Sequence, residues 1–180
     1  MTANETVKMT LTTEYHRRAD IEEFITKECL TEKRHQFLNT QRFQVWTKEN
    51  LKGDGYEHFG KIKYFRDDLQ AELTGLDFVF VFNASIWDNS PERIRKAVLT
   101  HFLYRIEPLM DYEDEFGCKK KCMLKDVPES YFCTQTYQVS KSGRLKFKII
   151  KPFGEFPEVI KEFGDWNLEV REIKNSFKKD

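Results

Sequence analysis

The clearest pattern in the chain is an apolar run that leads into a helical repeat. Residues 78–82 consist only of Phe and Val, which is the composition of a strand buried on both faces. Residues 83–89 then predict a turn, with Trp87 as a large apolar side chain inside it. A helix should begin at 90–92, because Ser90 can cap free backbone N–H groups and Pro91 suits a first helical turn.

The predicted helix ends its apolar stripe in two polar residues. One face of this helix carries residues at i, i+3, i+4, i+7 and i+11 spacing, which are Ile94, Ala97, Val98, His101 and Arg105. Zinc peptidases carry His-Glu-x-x-His on such a helix, because the two His residues hold the metal while Glu polarises the attacking water. Here residues 101–105 read His-Phe-Leu-Tyr-Arg, so Phe102 replaces the Glu and Arg105 replaces the second His.

Patterns elsewhere predict further elements. In chain order, we expect a helix within 19–30, extended structure at 43–47, a turn at 52–55, and one strand within 58–73 that passes into polar residues. Residues 107–122, acidic and then lysine-rich, predict an irregular, solvent-facing connection. Two strand-like runs at 131–139 and 144–150 flank a hairpin signal at 140–143, and an apolar helical pattern from Phe156 to Phe163 stops at Gly164.

Length and charge narrow the class of protein. The 180 residues suit a single domain at 14–180, preceded by a Thr-rich, aperiodic stretch at 1–13 that we expect to be a flexible arm. Thirty basic and thirty acidic residues cancel, which argues against both a general nucleic-acid binder and an acidic DNA mimic. No apolar run has the length of a membrane span or a signal peptide, so we expect a cytoplasmic protein.

Three cysteines are the metal candidates outside the helix. Cys118 and Cys122 are separated by three residues, within the range of structural zinc sites, and Cys133 follows eleven residues later. No fourth ligand follows in the usual pattern. Reduced thiols are the simpler interpretation for a cytoplasmic chain.

Several separated motifs occur in one order along residues 35–167. DFVFVFN at 77–83 leads to Trp87 and the helix, and a glycine hairpin tip then precedes a lysine-rich strand. Glu-Phe at 155–156 and Phe-Gly-Asp-Trp at 163–166 follow. This order resembles the putative phage metallopeptidases, a family of zincin-like proteins that phages and mobile elements encode.

The resemblance implies an α+β fold with a small zincin-like sheet, a central former active-site helix and a C-terminal helix. In the family, His-Glu-x-x-His lies on the central helix, and a later His-Asp supplies the third metal ligand. Here Lys151 and Pro152 stand where that His-Asp is expected, so His101 is the one ligand position retained. A catalytic zinc needs about three protein ligands, and Arg105 would repel a divalent cation. We therefore expect no catalytic residue and no resident cofactor.

The preferred functional hypothesis is a degenerate, non-catalytic phage or mobile-element protein that binds a macromolecular partner. A protein or nucleoprotein complex of the host cell would be that partner, as for an inhibitor of host defence of the anti-CRISPR or anti-restriction type.

Two other hypotheses stay open at this point. One is a metal-dependent hydrolase or peptidase with an altered ligand set, in which His101 acts with Glu107 or Asp111, or in which the cysteines hold the metal. The other is a nucleic-acid binder that uses a local basic face, for example 119–121 with 144–151. The neutral overall charge makes direct nucleic-acid binding the weaker of these.

Overall fold

A computed structural model of the chain describes residues 15–30, 33–49, 51, 59–131, 135–151 and 157–164. The predicted arm at 1–13, the predicted turn at 52–55, and Cys133 and Phe156 lie outside these residues. Within the described residues, no helix combines the length and the apolar character needed to span a membrane.

The first sheet is built around the predicted apolar strand. Its four strands are β1 (Tyr15–Arg17), β2 (Phe43–Lys48), β3 (Gly60–Tyr64) and β4 (Phe78–Asn83), in the order β1-β2-β4-β3. β2 runs parallel to β4, whereas β1 and β3 pair antiparallel with their neighbours. The strand predictions at 78–82 and 43–47 are thus confirmed. One face of β4 is fully buried, while its two Val residues on the other face are half-buried.

Helices cover the sheet and connect its strands. They are α1 (Ala19–Phe24), which continues as a π-helical turn (Ile25–Cys29), a 3₁₀ helix (Lys33–Thr40), α2 (Asp68–Thr74), α3 (Ala84–Asn89), α4 (Glu92–Tyr104) and α5 (Pro157–Phe163). The predicted helices within 19–30, at 92–104 and before Gly164 are confirmed. The mixture of helices and strands confirms the α+β class.

Two short helices replace predicted irregular or turn structure. α2 lies in the polar residues after β3, where Asp67 accepts a hydrogen bond from the Gln70 backbone N–H at 2.9 Å and Gly75 ends the helix at a φ of 67°. α3 lies in the predicted turn, and the Asn83 side chain accepts a bond from the Ile86 N–H. Side-chain caps therefore define helices that have no long apolar stripe.

Ser90 ends α3 instead of capping α4, which corrects its predicted role. Its hydroxyl donates to the Ile86 carbonyl at 2.6 Å, within the preceding helix. Pro91 stands at the start of α4 without a side-chain cap, and its carbonyl accepts from the Ile94 N–H at 2.9 Å. Of the two residues predicted to start the helix, only Pro91 does so, because its fixed φ suits a first helical turn.

The second sheet lies where the sequence predicted an irregular connection, and that prediction is wrong. β5 (Ile106–Glu113) pairs antiparallel with β6 (Lys119–Met123) on one side and with β7 (Thr136–Tyr137) and β8 (Phe147–Ile149) on the other. Opposite charges face each other between β5 and β6, at Glu113 with Lys119 and at Asp111 with Lys121. Such cross-strand pairs stabilise a hairpin, so the charged residues here belong to strands.

The C-terminal hairpin is shorter than its two predicted runs. Val139 and Leu145 form a single bridge, and Gly143 turns the chain at a φ of 81°. Beyond that bridge, β7 and β8 pair with β5 rather than with each other. The hairpin therefore brings residues 144–150 to the edge of the second sheet.

The core lies between α4 and the first sheet. Every residue from Ala97 to Tyr104 is buried, and the Phe102 ring packs edge-on against Phe82 with 5.6 Å between centroids. Trp87, the large apolar side chain of the predicted turn, stacks on Phe82 at 5.3 Å between centroids. α5 joins α4 through Arg93, whose Nη2 donates to the Phe163 carbonyl at 3.0 Å. The central helix is thus enclosed on all sides over its second half.

Replacing Gly60 with Ala should destabilise the fold. A Cβ at this position of β3 would lie 2.6 Å from Phe82 Cδ1 and 3.0 Å from the Val81 carbonyl oxygen. Because the ring is in the core and the carbonyl is in the backbone of β4, the strand must shift, and we expect a loss of about 1–3 kcal/mol. Denaturant unfolding measures it. The neighbouring Lys61→Ala should change the free energy of unfolding far less, and equal losses would contradict this account.

Candidate functional site

The end of α4 meets the end of β8, so the structure brings two of the degenerate metal-site positions together. Arg105 Nε donates to the Ile150 carbonyl at 3.0 Å, and the Ile150 N–H donates to the Arg105 carbonyl at 2.9 Å. Lys151 follows directly and is exposed. Residues 45 positions apart in sequence are therefore joined by two hydrogen bonds.

The position of the expected catalytic Glu is part of the hydrophobic core. Phe102 is fully buried and its ring contacts the core strand β4 through Phe82. His101 is also fully buried, with its ring edge-on to Phe102 at 5.2 Å. A phenyl ring has no group that can take a proton from water, so this position cannot supply a general base.

Arg105 has surroundings that suit a cation. It is 5% exposed, and its guanidinium lies 5.2 Å from the centroid of the Phe102 ring, a cation–π geometry. With the bond from Nε to Ile150, the side chain is held by the backbone on one side and an aromatic ring on the other. The donor set at these positions, one imidazole with a phenyl ring, a guanidinium and an ammonium, does not fit a zinc ion.

The acidic residues considered as alternative ligands are separated along one strand. Glu107 is 3% exposed and Asp111 is half-buried, both on β5. Four residues along an extended strand correspond to about 13 Å, so Glu107 and Asp111 could not both join His101 at one ion. In the part of the chain that the structure describes, no three His, Cys, Asp or Glu side chains are grouped so that they could hold a metal ion.

The two described cysteines of the predicted cluster are also far apart. Cys118 is exposed directly before β6, and Cys122 is half-buried near the end of that strand. Residues 119–122 of β6 alone span about 10 Å by strand geometry, whereas zinc–sulfur bonds are about 2.3 Å. Burial, with Asp126 and Asp111 nearby, raises the pKa of the Cys122 thiol and so disfavours the thiolate that a metal needs.

A buried ionic cluster is the feature of this region that the sequence analysis did not find. Asp77, 4% exposed at the head of β4, accepts from the Arg42 backbone N–H at 2.9 Å, Arg42 Nε at 3.3 Å and Arg144 Nε at 2.8 Å. Arg144 also donates to the Phe65 carbonyl at 2.8 Å and to Asp68 Oδ1 at 3.1 Å. These bonds link the start of β8 to the first sheet. An Asp just before an apolar strand was the one available signal.

A second imidazole lies against α4. His35, in the 3₁₀ helix, is buried with its ring edge-on to Tyr104 at 5.0 Å. It lies 66 residues before His101, and no local spacing connects the two. The sequence alone therefore gave no reason to place His35 beside the central helix.

A comparison with protein families matches the model described as "putative phage metallopeptidase" over residues 13–178. The chain belongs to this family, and the resemblance seen in its motifs is confirmed. No curated protein and no solved structure matches the chain in the same comparisons.

Replacing Asp77 with Asn should destabilise the protein near neutral pH and much less in acid. Burial raises the pKa of the Asp77 carboxyl, but hydrogen bonds from Arg42 and Arg144 outweigh it, so the pKa lies below its usual value. The stability that this carboxylate contributes is therefore present above the unfolded pKa of about 3.9 and is lost as the pH falls through the folded pKa. Breaking such a buried ion pair costs about 3 kcal/mol.

Denaturant unfolding of wild type and Asp77→Asn at several pH values measures this difference. Asp126→Asn, which changes an exposed carboxylate, is the matched control and should unfold like wild type. The free energies of unfolding of wild type and Asp77→Asn should converge as the pH falls well below the usual Asp pKa. If the gap between them stayed constant, the charge of the carboxylate would contribute nothing to stability.

Proposed function

We propose that this member of the phage metallopeptidase family is non-catalytic and acts by binding a macromolecular partner. The observation that carries the proposal is the place of Arg105. It stands at the expected second ligand position, is buried, and donates to the Ile150 carbonyl. A guanidinium keeps its charge at any pH that a folded protein experiences, so this position repels a divalent cation instead of binding it.

The neighbouring residues support the same conclusion by a different route. Metal-assisted hydrolysis needs a group that orients and deprotonates the attacking water, and Phe102 provides none. Restoring a Glu there would place a carboxylate in the core beside Phe82, at a large desolvation cost. The packing of Phe102 against Phe82 therefore supports the proposal that this helix has no general base.

The partner that we propose is a protein or a nucleoprotein complex of the host cell. A small phage or mobile-element protein without catalytic function is most useful as a stoichiometric binder, as in an inhibitor of the anti-CRISPR or anti-restriction type. We propose that it acts in the host cytoplasm.

Purified, untagged protein should contain zinc and other transition metals at only a small fraction of one equivalent. The reason is the donor set around Arg105, which offers one imidazole and two cations. Elemental mass spectrometry of wild type beside His101→Ala measures the metal content. His101→Gln serves as a second variant of similar volume, because His101 is fully buried and truncation leaves a cavity.

Each other outcome of that measurement has a definite meaning. Near one zinc per chain, lost in both His101 variants that circular dichroism shows to be folded, would overturn the proposal in favour of a hydrolase with an altered ligand set. Zinc that persists in those variants would instead implicate thiols, and Cys118→Ser with Cys122→Ser would remove it. A binder retains partner capture from host lysate in folded His101→Gln.

A further inference from the structure

A basic groove lies between the end of β3 and β8. It has a volume of about 420 Å³ and is lined by Tyr64, Arg66, Leu109, Lys146, Phe147 and Lys148. This volume is within the range of about 300–1,000 Å³ that is usual for ligand sites. We call this feature the β3–β8 groove. None of the expected metal-site positions lines it.

Three cations in the β3–β8 groove form no ion pair within the described part of the chain. Arg66, Lys146 and Lys148 are exposed, and no described carboxylate lies within salt-bridge distance of them. The nearby Asp68 and Asp77 carboxylates are instead bound by Arg144. A chain with zero net charge thus carries a local excess of positive charge here, with Glu107 opposite Lys148 as the neighbouring carboxylate, and this excess is complementary to an anionic ligand.

The spacing of the lysines fits an extended ligand. Lys146 and Lys148 flank the buried Phe147, so their side chains project from the same face of the strand, about 7 Å apart. Alternate residues of an extended peptide have the same spacing. In the sheets that the described residues form, β3 is an end strand and β8 pairs only with β5. β3 and β8 lie side by side without pairing with each other, so among the described residues the facing edges of these two strands carry no ladder hydrogen bonds next to the groove.

We propose that the β3–β8 groove binds an extended segment of a partner protein that carries carboxylates at alternate positions. The lysines would pair with the carboxylates, while an exposed strand edge accepts main-chain hydrogen bonds, as in other complexes formed by strand addition. This inference rests on the proposed function, because it names the surface and the chemistry through which the protein binds its partner.

The groove offers little to a nucleic acid. Single-stranded binders stack bases on open aromatic faces, but the Tyr64 ring is already stacked on Phe78 at 5.1 Å and meets Phe147 edge-on at 5.5 Å. Its hydroxyl donates to the Leu145 carbonyl at 3.1 Å. Tyr64 therefore serves as a fixed wall of the groove. Three cations without a stacking surface favour carboxylates on a peptide.

Titration of the full-length protein with a capped peptide of alternating Glu and Val, followed by NMR of backbone amides, tests this proposal. The expected result is a set of shifts confined to residues near the groove, absent with the matching Gln–Val peptide. Lys146→Glu with Lys148→Glu should weaken binding at least about tenfold. Lys61→Glu with Lys63→Glu is the matched control, since it makes the same charge change at the same spacing on exposed positions of β3 outside the groove lining.

Three results would overturn the proposal: no shifts near the groove at millimolar peptide, equal shifts with the neutral peptide, or equal weakening in the two double variants. Tighter, strongly salt-dependent binding of an oligothymidylate to the same residues would assign the groove to nucleic acid instead. Mass spectrometry of the recovered peptide separates this test from that of the proposed function. Cleaved peptide contradicts the absence of catalysis, whereas intact peptide without binding contradicts the groove alone.

Discussion

The buried Asp77 carboxylate is the constraint on which the relation between the two sheets depends. A charge at the head of the central strand must be paired, and its partners are Arg42 before β2 and Arg144 before β8. Arg144 in turn bonds the Phe65 carbonyl, while Tyr64 bonds Leu145. The cluster therefore fixes β8 beside β3, which forms the groove, and sets the course of the chain toward Ile150 and Arg105.

Elements with redundant local signals could be predicted from the sequence. β4 and α4 have uniform apolar patterns and a proline start signal, and both were found near their true bounds. α2 was missed because its Leu69 and Leu73 are 67% and 78% exposed, so its apolar residues do not mark a buried face. The β5–β6 hairpin was missed because its acidic and basic residues make sense only when the two strands are paired.

In the candidate site, too, features set by neighbouring residues could be predicted, whereas contacts between distant residues could not. The altered motif at 101–105 could be found from helical spacing. The loss of metal ligands there could be inferred from the residue types alone. The carbonyl that holds Arg105, and the pairing of Asp77 with Arg144 across 67 residues, depend on tertiary packing that no spacing rule contains. The groove likewise combines residues from β3, β5 and β8.

Arg105 also joins the central helix to the end of β8. In the family that the chain belongs to, the resemblance places ligands on the central helix and near Lys151, so a bound ion would join these two segments. Here a guanidinium bond and a backbone bond join the same segments at 3.0 and 2.9 Å. A charged hydrogen bond of this kind contributes about 1.5–3 kcal/mol. Arg105 thus supplies a hydrogen-bonded link between helix and strand beside the positions where the resemblance expects metal ligands.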